Sequence, residues 1–86
     1  MNEPSRQLRR DTPATYRIHL QGFLGESWSE YLNTMTITPS RAVDGAPVTI
    51  LKGRLVDQAA LLGVLNNAYD SGFPLLSVEC LEWDQT

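Results

Sequence analysis

Leu55-Val56-Asp57-Gln58-Ala59-Ala60-Leu61-Leu62-Gly63-Val64-Leu65, running on to Gly72-Phe73-Pro74-Leu75-Leu76-Ser77-Val78, decides the fold of this chain. It reads as the end of a strand, a helix cap, an amphipathic helix, a helix stop and a buried strand. Asp57 is the expected N-cap, because its carboxylate can accept from the unpaired N–H groups of the first turn and its charge suits the positive end of the helix dipole. Leu61, Val64, Leu65 and Ala68 recur at i, i+3, i+4 and i+7 and form the stripe to be buried, widened by Ala60. Asn66, Asn67 and Asp70 make the wet side. Gly63 costs the helix about 1 kcal/mol relative to alanine, which close approach to a sheet would explain. Gly72 is the expected C′ residue, and Pro74 stops any continuation.

Working outward, Leu75 to Trp83 is the last strand. Strict alternation places Leu75, Leu81 and Trp83 on one face and Leu76, Val78 and Cys80 on the other. Apolar character on both faces predicts an interior position in the sheet, or an interface. Toward the N-terminus, Tyr16, Ile18 and Leu20 alternate with Arg17, His19 and Gln21, the mark of a half-buried strand. Ser27 and Glu30 have capping-box spacing. Trp28, Tyr31 and Leu32 then share one side of a short helical turn. That turn is too short to stand without packing its Trp on the domain. Thr34 to Thr38 and Val48 to Gly53 read as a hairpin joined by a loop over Pro39 to Pro47.

The sum is an α+β domain: a small mixed four-stranded sheet, ordered β-β-β-α-β, with one main helix on one face. Strand, helix, strand implies a right-handed crossover between parallel neighbours. Residues 1–13, with Pro4, Pro13 and several charges, are expected to form a disordered leader. Residues 14–84 make the single domain, and 85–86 are its C-terminal end.

Composition narrows the function classes. A chain of 86 residues holds one domain with a modest core. With 42% hydrophobic and 20% charged residues it is an ordinary globular sequence. Its net charge of −3 argues against bulk binding to nucleic acid or anionic membrane. Arg6, Arg9 and Arg10 cluster early, but beside Glu3 and Asp11 they read as a solvated tail. Cys80 is the single cysteine, so no intrachain disulfide can form. No apolar stretch approaches the ~18 residues of a membrane span, and the polar start lacks a signal-peptide core. A cytoplasmic address is expected.

No motif for chemistry stands out. Cys80 and His19 are the least implausible nucleophile and base, but neither has a flanking signature; Cys80 reads as a small core hydrophobe and His19 as a surface residue. One Cys and one His cannot make a usual zinc set, so no metal is expected. Glu79 and Glu82 fall on opposite faces of an ideal strand. Gly22-Phe23-Leu24-Gly25 lacks the spacing and the lysine of a phosphate loop, so no cofactor is expected. The candidate interaction surface is Arg17, His19 and Gln21 on the polar strand face, Trp28 and Tyr31 on the turn, and Trp83 near the C-terminus, since aromatics are enriched in binding hot spots. The expected function is a small non-catalytic protein-interaction or regulatory module. Its expected partner is a second copy, making a homodimer, or another protein. The alternative is a small-molecule-binding domain, and an enzyme of unknown class ranks third.

Tyr16-Arg17-Ile18-His19-Leu20-Gln21-Gly22, Trp28-Ser29, Asp57-Gln58-Ala59-Ala60-Leu61 and Pro74-Leu75-Leu76-Ser77-Val78 together resemble a family of small uncharacterised bacterial proteins with no assigned activity. The resemblance covers about residues 16 to 78 and implies a bacterial, cytoplasmic protein. In those relatives the residue before the helix glycine is often polar. Here it is Leu62, a departure that weakens any functional reading of that spot drawn from the resemblance.

Overall fold

The fold is that of a computed structural model, which describes residues 7–25, 27, 28, 32 and 34–84. Its elements are β1 (Ala14–Gln21), β2 (Met35–Arg41), β3 (Pro47–Leu55), α1 (Gln58–Asp70) and β4 (Leu75–Trp83). They form an α+β domain with one four-stranded sheet in the order β2-β3-β1-β4. All three strand pairings are antiparallel. The sheet is therefore not mixed. β3 and β4 run parallel, as a crossover requires, but β1 lies between them, so the expected parallel neighbours do not touch. A helix reaching back over a sheet can skip a strand, and hydrophobic periodicity does not say which strand is skipped.

α1 forms where the sequence placed it. Asp57 Oδ1 accepts from Ala60 N at 2.8 Å. At the other end Phe73 N donates to Ala68 O and Gly72 N to Tyr69 O, each at 3.0 Å. With Gly72 at φ 90° this is a Schellman stop, in which only glycine takes the left-handed turn without strain. Leu61, Val64 and Ala68 are buried, and Leu65 packs half-buried beside them.

The register sorts the side chains. Ala14, Tyr16, Ile18 and Leu20 of β1 face α1, flanked by Leu55, Gly53, Leu51 and Thr49 of β3. Thr49 is buried with its hydroxyl satisfied: it donates to Gly22 O at 2.6 Å and accepts from Leu24 N at 3.3 Å. Gly53 is required by contact, since a Cβ there would overlap the Thr34 carbonyl oxygen and the Met35 backbone.

Three sequence expectations are corrected. β2 extends through Pro39 to Arg41, so the loop shrinks to residues 42–46, turned by Gly45 at φ 89°. Pro39 is tolerated because β2 is an edge strand, whose missing N–H need not face a neighbour. β4 likewise lies at an edge and not in the interior, and two register shifts break its alternation. Leu76 and Leu81 are the unpaired bulge residues, so Leu75, Val78, Cys80 and Trp83 all share the helix side. Finally, residues 7–13 are folded onto the domain. Leu8 packs on the core, Thr12 is buried, Arg10 O accepts from Gln58 N, and Pro13 O accepts from Asp84 N. The disorder expected for the first six residues lies outside the described residues.

Candidate functional site

The open face of the sheet carries Thr15, Arg17, His19 and Gln21 of β1, set between β3 and β4. Each residue meets a defined cross-strand neighbour. Arg17 has Lys52 on one side and Glu79 on the other, and its guanidinium donates to Glu79 Oε1 from Nη2 at 2.7 Å and Nε at 3.0 Å. His19 sits between Ile50 and Ser77, with Ser77 Oγ 2.9 Å from Nδ1. Arg54 reaches past Thr15 to Asp84, Nη1 to Oδ1 at 2.9 Å and Nη2 to Oδ2 at 2.5 Å. Those hydrogen bonds hold the Asp84 carboxyl below its ordinary value and raise Arg54. The second bulge brings Glu82 onto the same face as Glu79, against the expectation from strict alternation.

The covered face holds the remaining groups. Cys80 is the register partner of Tyr16 on that side and packs against the core. Burial pushes its thiol up, with the adjacent Tyr16 hydroxyl acting in the opposite sense. Among the described residues the buried Tyr16 hydroxyl has no hydrogen-bond partner. Cys80 and His19 therefore lie on opposite faces of the sheet and cannot act as a nucleophile and its base. Among the described residues no group of three or more His, Cys, Asp and Glu could hold a metal ion.

The sequence-selected residues do not form one patch. Arg17, His19 and Gln21 share the open face. Trp28 and Trp83 pack partly buried against the core on the other side, Trp28 edge-on to Phe73 with ring centroids 6.3 Å apart. Tyr31 lies outside the described residues. Sequence reasoning missed the region between α1 and the start of β4. There Leu62 is 56% exposed, Tyr69 80%, and Leu75 and Leu76 51% each, a concentration of bare apolar surface. Leu62, Tyr69 and Leu75 border a cleft of about 470 Å³ whose lining includes Leu20, Leu65, Phe73 and Pro74. Its signal was legible: Leu62 and Tyr69 stand off the buried stripe, seven residues apart on one flank of the helix.

The model of a family described as a domain of unknown function, DUF8691, matches residues 15–79. The chain belongs to this family. The DUF8691 match runs from β1 through most of β4, so it takes in the open face, α1 and the apolar cleft alike. No curated protein and no solved structure matches the chain. Among the described residues of this DUF8691 domain no helix is long and apolar enough to cross a membrane.

Proposed function

We propose that this protein is a small non-catalytic interaction module that binds another polypeptide along the margin formed by α1 and β4. One observation carries the reading: three large apolar side chains, Leu62, Tyr69 and Leu75, stand half or more exposed around one cleft, with the equally exposed Leu76 next to Leu75 in the chain. Scattered exposed leucines are ordinary, but apolar residues gathered round a groove mark contact sites. The open face is a weaker contact surface, because Arg17 and His19 already engage Glu79 and Ser77. A bacterial cytoplasm suits the module, whose lone Cys80 needs no oxidising compartment.

A photo-crosslinking residue placed at Leu62 in cells tests this. The expected product is a discrete protein adduct at Leu62 and none from the same probe at Lys52 on the open face. Adducts equal at both sites, or at neither, would overturn the reading.

The second reading is a small-molecule binder using the same cleft, whose volume falls in the range of ligand pockets. A thermal-shift screen of apolar metabolites would show concentration-dependent stabilisation, removed by Leu65→Asp.

A further inference from the structure

The two edges of the sheet are built differently. β2 carries Pro39 at its middle and Arg41 at its end, two devices that discourage another strand from joining. β4 has no proline and no basic residue along its length, and its acids are partly neutralised from within. Glu79 is paired by Arg17, and Asp84 just beyond the strand by Arg54. Between the two bulges lies a regular stretch, Ser77–Cys80, whose outer side faces no strand among the described residues. We propose that this stretch is the seam of a homodimer, β4 pairing antiparallel with β4 of a second copy to give one eight-stranded sheet. The inference rests on the interaction-module reading and names its partner.

Three arguments select a second copy. The first is register and charge. Residues directly opposite in an antiparallel pair lie on the same face, so Val78 can oppose Val78 or Cys80. The register with Val78 against Cys80 sets Glu79 against Glu79, which like-charge repulsion disfavours. The register with Val78 on the two-fold axis sets Glu79 against Ser77 and leaves Glu82 opposite no acid.

The second argument is geometry. α1 touches both β3 and β4 and so lies over β1. Pairing at β4 puts both helices on one face of the joined sheet, separated by three strand spacings, roughly 14 Å. Helices with their side chains are about 10–12 Å across, so long side chains must fill the gap. Leu62 and Tyr69 are the ones that project from that flank.

The third argument is area. Leu62, Tyr69, Leu75 and Leu76 offer on the order of 450–500 Å² of exposed surface per copy, given the usual size of such side chains. A standard interface takes about 800 Å² from each partner. The outer backbone of β4 and the half-buried Leu65, Phe73 and Val78 supply the rest.

The experiment uses the full chain. Val78→Cys with Cys80→Ser, under mild oxidation, is expected to form a disulfide-linked dimer rapidly, since opposed Cα atoms sit about 4.5–5.5 Å apart. Wild-type Cys80 is expected not to link: its twin would lie roughly 13 Å away along the strands. Val43→Cys with Cys80→Ser, on the exposed hairpin tip, measures chance collision. Linking of Val78→Cys no faster than that of Val43→Cys in folded protein overturns the seam. Should the Val78 variant misfold, sedimentation of the wild type decides: a dimer in which whichever of the Val78 and Glu79 amides points away from β1 exchanges more slowly as concentration rises supports the proposal, and a monomer at 100 μM, on the order of a high working concentration, overturns it. A failed seam with a protein adduct at Leu62 leaves the interaction reading standing with a different partner, whereas failure of both removes both.

Discussion

The covered and open faces of this sheet share one backbone ladder and do different work. On the covered face Tyr16, Ile18, Leu20 and Leu51 are almost wholly removed from water. On the open face the same strands hold Arg17 to Glu79 and send Arg54 to Asp84, all four groups well exposed. Burial of apolar area is worth about 25 cal/mol per Å², while an exposed ion pair contributes about 0–1 kcal/mol. Stability therefore resides on one side of β1, and the other side governs solubility and the spacing of charge. Adjacent residues of one strand should differ severalfold in what their loss costs.

Ile18→Ala gives the largest contrast. It should cost about 3–4 kcal/mol in urea denaturation, because the cavity opens under α1 where neither helix nor sheet can close in. A loss under 1 kcal/mol would break the comparison. Gly53→Ala comes next, at about 2–3 kcal/mol, since the added methyl meets backbone and not a movable side chain. Thr49→Val should cost about 1–2 kcal/mol by stranding the Gly22 carbonyl and the Leu24 N–H, and Thr49→Ser should recover most of it. Arg17→Gln, one residue from Ile18, should change stability by under 1 kcal/mol. The smallest effect is a pH dependence. Asp84 is held below its ordinary value of 3.8 in the folded chain, so its contribution is present above that value and is lost as pH falls through the folded pKa. Wild type should exceed Asp84→Asn in stability at neutral pH and converge with it in acid; a gap that widened on acidification would contradict the sign.

The same contrast explains what could be read from the sequence. The covered face was legible because it is written locally: Asp57 caps, Gly72 stops, and Leu61, Val64 and Ala68 repeat at helical spacing. β1 was legible because its alternation is unbroken. β4 was not, because a bulge adds one residue without changing composition, and Leu76 and Leu81 look like any other leucines. The shift moved Glu82 to the open face beside Glu79, a pairing that no alternating count would give. Pro39 read as loop because its permission to stay in a strand comes from β2 lying at the sheet's edge among the described residues, a fact of topology. Of the candidate surface, Arg17, His19 and Gln21 were correctly grouped by parity. Trp83 was separated from them by the bulge after Cys80. The Leu62 and Tyr69 margin went unseen because the helix was judged by its buried stripe alone.

The central place of β1 also sets an order of events during synthesis. Ile18 waits for Leu51, about thirty residues later, and for Val78, about sixty residues later. At translation rates of roughly 5–20 residues per second, the second delay is roughly 3–12 s. Through that interval the strand that ends most deeply buried leaves the ribosome with one flank bare, and the helix that will cover it is completed only shortly before β4. The sheet's most aggregation-exposed interval thus lasts until β4 emerges, when that strand alone can close the sheet beside β1.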